Sequence, residues 1–173
     1  MIEKLKRHQK IFTMSLLVVY CLALTWIILF KMCFSFQDLP NFRGINLIPF
    51  VGSVIINNQI DFNEIMNNIL IFVPFGIYIS MLKPDWTFLK RVAPIVSVSL
   101  VFEVFQFIFA IGATDITDFI GNTLGGLLGI GVYFVLYKLF KTEIKTNKIL
   151  NVIALIGTVC FIALFGLLIL NND

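Results

Sequence analysis

Long apolar runs separated by short charged stretches set the pattern of this chain. The first is drawn from 11 to 34, and four more follow at about 64–82, 92–111, 119–140 and 150–170. Each is near the ~20 residues that an α-helix needs to cross a bilayer. The pattern predicts an all-α integral membrane protein, a five-span helical bundle in which residues 1–10 form a basic cytoplasmic N-terminus and 11–173 a single membrane domain. The first run is too long for a signal-peptide core and no small-residue cleavage site follows it, so it reads as an uncleaved span.

Between the first two spans, Ile45 to Ile56 is apolar but only 12 residues long, and Pro49 and Gly52 break it. A helix of that length cannot cross, so the stretch reads as an outer-leaflet re-entrant or interfacial segment. Asn46, Ser53 and Asn57 are polar partners for its backbone. Pro74, inside the second span, removes the hydrogen bond to the Leu70 carbonyl and bends the helix, leaving that carbonyl for a neighbour. Pro94 falls in the first turn of the third span, where a proline costs nothing. The fifth span is plain and reads as lipid-facing.

Composition agrees with the membrane reading: 59% of residues are hydrophobic and 13% charged, too apolar for a soluble domain of this size. The formal net charge of +3 would suggest a nucleic-acid partner only if the cations shared a face, and they do not. Lys4, Lys6, Arg7, Lys10, Lys83, Lys90, Arg91, Lys138, Lys141, Lys145 and Lys148 all fall on one side of the five spans, and only Lys31 and Arg43 on the other. Positive residues accumulate in the cytoplasm. The expected placement is therefore a multi-pass plasma-membrane protein with its N-terminus cytoplasmic and its C-terminus extracellular. Cys21, Cys33 and Cys160 lack metal or redox spacing, and the single histidine, His8, argues against a zinc site with imidazole ligands.

Polar groups within the spans are few and lie together. Glu103 is ~16 Å from the inner end of a span ~30 Å thick, just beyond the midplane toward the outside. Gln106 follows one turn further out. Asn67 and Asn68 enter from the outside in the second span, and Asn122 in the fourth. Asp115, Asp118, Asn122, Gly125 and Gly129 recur at helical spacing and share one face. The two aspartates sit at the N-terminal end of that helix, whose dipole favours their ionised forms. Gly121, Gly125 and Gly129 form small-xxx-small steps that admit a neighbouring helix. A carboxylate at the centre of a lipid-embedded helix costs about 2.5–3.5 kcal/mol, so Glu103 must face something other than lipid.

The ordered motifs Asn46-Leu47-Ile48-Pro49-Phe50, Asn68 with Phe72-Val73-Pro74-Phe75-Gly76, Glu103 to Gln106, and Asp115-Ile116-Thr117-Asp118 to Asn122-Thr123-Leu124-Gly125-Gly126 resemble those of the VanZ-like proteins. The resemblance covers residues 43–140. Many family members carry an aspartate where this chain has Thr117 and an arginine where it has Gly112. The resemblance implies a bacterial plasma-membrane protein associated with reduced susceptibility to glycopeptide antibiotics, teicoplanin above all.

Together these readings predict an outward-facing ligand site of Asn46, Asn68, Glu103, Gln106, Asp115, Asp118 and Asn122, with Arg43 and Asn67 beside it. Arg43 is expected to pair with Asp115 or Asp118. Membrane lipid surrounds the site, and its ligand is expected to be a lipidated glycopeptide or a lipid-linked peptidoglycan precursor. No cofactor is assigned; the oxygen-only set Glu103, Asp115 and Asp118 is the candidate for a divalent cation. An alternative reading is a metal-assisted enzyme on a lipid-linked envelope substrate, with Glu103 as general base. A small transporter is a second alternative, and a polar network that only fixes helix register is the purely structural one.

Overall fold

In a computed structural model, which describes residues 2–30, 42–49, 55–56, 59–60 and 62–172, five helices are long and apolar enough to cross a membrane. They are α1 (Ile2–Leu29), α2 (Phe62–Leu82), α3 (Phe88–Phe109), α4 (Ile116–Phe140) and α5 (Glu143–Asn172). Most extend beyond the apolar runs. Lysine, arginine and glutamine are good helix formers, so the basic stretch before residue 11 continues α1 beyond its apolar run. Positions 31–34 of the expected first span lie outside the described residues.

Two corrections concern helix starts. Because α3 begins at Phe88 after the extended Thr87, Pro94 stands at its seventh position and not in its first turn. Because α5 begins at Glu143, its first turns carry Thr146, Asn147 and Asn151, all buried. The remainder of α5 is largely exposed, as expected of a lipid-facing span, and Trp26 of α1 packs edge-on against Phe165.

Between the helices of the expected bundle, short strands that the sequence did not announce form two small ladders. β1 (Phe42–Asn46) pairs in parallel with β4 (Ile111–Asp115), setting Phe42 opposite Ile111 and Asn46 opposite Asp115. A second, antiparallel pair joins β2 (Ile55–Ile56) to β3 (Gln59–Ile60). The expected re-entrant segment thus contributes Ile45 and Asn46 to one ladder and Ile55 and Ile56 to another. Residues 50–54, with Gly52 and Ser53, lie outside the described residues, as does Asn57. The turn from α3 into β4 uses Ala110 in the left-handed region (φ 55°) and Gly112 at φ 153°. A glycine adopts the latter without the penalty of a Cβ, so an arginine at 112 would be strained in this backbone.

The tightest packing joins α2 to α4. An added Cβ would sit 2.1 Å from the Ile69 carbonyl oxygen at Gly125, 2.0 Å from that of Val73 at Gly129, and 3.2 Å from Asn68 Cβ at Gly121. Gly76 on α2 makes the reciprocal approach to Gly126. The small-residue steps therefore bring two main chains together, with Cα–H groups facing carbonyls. Leu24, Phe72, Phe75, Ile95, Phe102 and Ile130 fill the core beside this seam.

The helix ends segregate. Lys6 Nζ lies 2.8 Å from Glu143 Oε2 and Gln9 Nε2 donates to Ile144 O at 3.1 Å, joining α1 to the start of α5. At the same end, buried Arg91 closes the α2–α3 turn by donating to Pro84 O and Trp86 O at 2.6 and 3.0 Å. The start of α2, the end of α3 and the start of α4 meet at the other end, with the β1–β4 ladder.

Candidate functional site

Asp115 is both the last residue of β4 and the N-cap of α4 (φ −121°, ψ 123°). Its Oδ1 accepts the Thr117 N–H at 2.7 Å, which satisfies one of the donors that every helix start leaves open. Its Oδ2 accepts from Asn46 Nδ2 at 3.1 Å, and its own N–H donates to Glu103 Oε2 at 2.8 Å. One residue thereby ties β1, α3 and α4 together. Thr114 Oγ1 adds a bond to the Glu103 carbonyl at 3.0 Å.

The electrostatics fit anionic side chains. Glu103 and Asp115 are 3% and 2% exposed, so each depends on hydrogen bonds in place of water. Bonds to charged groups contribute about 1.5–3 kcal/mol each, and the α4 N-terminus favours negative charge close to it. Asp118, in the first turn of α4, accepts from Asn68 Nδ2 at 2.6 Å. Asn46, Asn68 and Asp118 are half-exposed. The carboxylate set therefore grades from a buried pair to an accessible rim.

Other residues of the expected site behave differently. Gln106 is buried, but its amide nitrogen donates to Ile28 O of α1 at 3.2 Å and so braces the first helix. Asn122 is 1% exposed, and among the described residues its Oδ1 has no hydrogen-bond partner. Asn67 is exposed beside its engaged neighbour. Arg43 does not make the expected pair with either aspartate. Its guanidinium donates to Ile108 O at 3.1 Å and lies 5.9 Å from the Phe107 ring centroid, because the ladder register sets Arg43 opposite Gly112.

Pro74 stands inside α2, and the phenol of Tyr20 donates to the carbonyl of Ile71. The carbonyl taken by a neighbour is thus one residue beyond Leu70. Thr114, Thr117 and Ser99 were not legible as site residues. Thr117 is 1% exposed in the middle of Asp-Ile-Thr-Asp, and its place in that motif was the available signal. Ser99 is fully buried on the Glu103 face, one turn away from it. Among the described residues, no group of three or more His, Cys, Asp or Glu side chains converges so as to hold a metal ion. Glu103 and Asp115 meet through a backbone N–H, and Asp118 is engaged by α2.

Comparison with known proteins places these features in context. The family model described as VanZ/LLP1 matches residues 17–141, a range that contains every residue of the site. Protein VanZ of Enterococcus faecium is 38% identical over 157 residues, covering 90% of this chain and 91% of that protein. No solved structure matches.

Proposed function

Because this chain belongs to the VanZ/LLP1 family, we propose that it is a multi-pass plasma-membrane factor in glycopeptide resistance, engaging an outer-leaflet ligand through the carboxylates at the start of α4. In this reading the N-terminus is cytoplasmic and the C-terminus extracellular, so the β1–β4 end of the bundle faces outward. The ligand is a lipidated glycopeptide such as teicoplanin, or the lipid-linked peptidoglycan precursor that such drugs capture. Binding either one sequesters the drug or shields its target.

The observation that carries this reading is the grading of the carboxylates from buried Glu103 and Asp115 to half-exposed Asp118 and its partner Asn68. A purely structural network would be closed on all sides. Here the rim offers acceptor oxygens and a side-chain amide, the groups that recognise N–H donors and amines on a peptide-like ligand. The buried pair supports the rim by fixing where α4 begins. Exposed apolar side chains at this end, Leu47, Met66 and Phe109 among them, suit a ligand that arrives through the membrane with an acyl chain.

The test is equilibrium binding of fluorescent teicoplanin to the purified chain in nanodiscs. Saturable binding that weakens about tenfold or more in Asp118→Asn is the expected result, since a charge-assisted hydrogen bond contributes about 1.5–3 kcal/mol. Absence of saturable binding to teicoplanin and to lipid-linked precursor alike would overturn the proposal.

A further inference from the structure

The lysine-rich end of the bundle holds a second polar site, remote from the carboxylates. A cavity of ≈ 540 Å³ opens between the first turns of α1, the α2–α3 turn and the start of α5, and Lys6, Arg7, Lys10, Lys83, Trp86 and Asn147 are among its walls. Topology accounts for why cations gather at this end. It does not account for a cavity that they line.

The charges are unevenly matched. Asp85 and Glu143 also line the cavity, so four cations face two carboxylates. Lys6 is taken by Glu143 at 2.8 Å. Lys83 lies 5.1 Å from the Trp86 ring centroid. Arg7 and Lys10 are exposed and directed to the same space by a helix that places them three residues apart.

A second observation comes from the cavity's inner wall. Asn147 is 7% exposed, and among the described residues its Oδ1 has no hydrogen-bond partner. Neighbouring Thr13 cannot serve it, because that hydroxyl is engaged with Gln9 O and Asn151 Oδ1 at 2.8 and 2.9 Å. A buried acceptor left open is destabilising until a donor arrives. The complementary ligand therefore carries an anion for the cations and a hydroxyl for Asn147.

The surroundings identify the source. Immediately past the cavity, Phe88 and Leu89 are 55% and 77% exposed, and Trp86 is the type of side chain that sits at the headgroup level of a bilayer. We propose that this cavity binds the headgroup of an anionic glycerophospholipid, with its phosphate among Arg7, Lys10 and Lys83 and a headgroup hydroxyl donating to Asn147 Oδ1. Basic pockets between membrane helices select anionic headgroups in this way. Occupancy would tie α1, α5 and the α2–α3 turn together through one lipid.

The test uses the purified full chain in detergent, titrated with dioctanoyl phosphatidylglycerol, phosphatidylmethanol or phosphatidylcholine, and separately with inorganic phosphate and glycerol phosphate, read by native mass spectrometry and calorimetry. Phosphatidylglycerol is expected to bind saturably and at least tenfold tighter than phosphatidylcholine. The exposed pair Arg7→Gln with Lys10→Gln should weaken it about thirty-fold, the equivalent of about 2 kcal/mol for two cations near an anionic surface. An equal loss of charge at Lys90→Gln with Lys138→Gln, which do not line the cavity, should change binding less than threefold. Asn147→Ala should weaken phosphatidylglycerol about fivefold, as loss of one hydrogen bond implies, and leave phosphatidylmethanol, which lacks the hydroxyl, unchanged.

Equal binding of phosphatidylcholine overturns the proposal. So does equal weakening by the two double variants, which would indicate a diffuse field. Glycerol phosphate or inorganic phosphate binding as tightly as the lipid would assign the cavity to a soluble anion and remove the lipid. Should Asn147→Ala fail to fold, the comparison of phosphatidylglycerol with phosphatidylmethanol on the parent chain decides the hydroxyl contact.

Discussion

Replacing Gly125 by alanine tests the seam that holds the carboxylates in place. The new Cβ would stand 2.1 Å from Ile69 O and 2.9 Å from both Ile69 C and Phe72 Cβ. Ordinary C···O contacts begin near ~3.3 Å, so main chain must retreat by about 1 Å or more, and no side-chain rotation relieves it. Overpacking of this kind costs typically 1–3 kcal/mol, and the upper part applies because the obstacle is a helix backbone. Alanine's helix preference returns about 1 kcal/mol. The clash wins, and a net loss of about 2 kcal/mol is expected.

Gly131 on the same helix has no heavy atom within 4 Å of an added Cβ, so Gly131→Ala should gain up to about 1 kcal/mol from helix preference alone. The two variants thus differ by about 3 kcal/mol with identical chemistry. For a chain of this size that is a separation of roughly 6–12 °C in melting temperature. Thermal melts of the full chain in detergent, followed by circular dichroism, measure it. If Gly125→Ala melts at or above Gly131→Ala, the two helices do not meet main chain to main chain as described.

Other substitutions probe separate contacts. Arg91→Leu leaves the Pro84 and Trp86 carbonyls without their donor and should destabilise by about 3 kcal/mol; a melting temperature equal to that of the parent would show that the turn holds itself. Tyr20→Phe removes the donor to Ile71 O beside Pro74 and should cost about 1 kcal/mol, with faster hydrogen exchange in the middle of α2 as its signature. Chelation should leave both melting and glycopeptide susceptibility unchanged, because Glu103 is joined to Asp115 through a backbone N–H at 2.8 Å and not across a shared ion; a loss on chelation restored by Mg²⁺ would assign a metal-dependent role to Glu103, Asp115 and Asp118.

The spans were legible because twenty apolar residues have few alternatives to a membrane-crossing helix. Their starts were not, since helix continues through polar residues until a breaker or a cap intervenes, and hydropathy is blind to caps. Asp115 illustrates this: periodicity put it at the rim of a helix, while its part as strand end, N-cap and acceptor depends on β1, some seventy residues earlier. Five residues such as Phe-Arg-Gly-Ile-Asn, with a glycine at their centre, are too short and too mixed to announce a strand. The same ladder decided the place of Arg43, because its register sets that residue against Gly112. The glycine stripe was legible from spacing alone, since only close approach of another helix explains small residues at every fourth position. Asn147 was missed for a plain reason: it precedes the apolar run by which the fifth span was recognised.

The central claim is that the carboxylates where α3, β1 and α4 meet serve the glycopeptide resistance proposed for this chain. Teicoplanin and vancomycin susceptibility of a sensitive bacterium expressing the parent chain, Glu103→Gln or Asp118→Asn, at matched membrane levels, tests it most directly. Protection by the parent and its loss in both near-isosteric variants is the expected result. Equal protection by all three would contradict the claim and leave the carboxylates as scaffold.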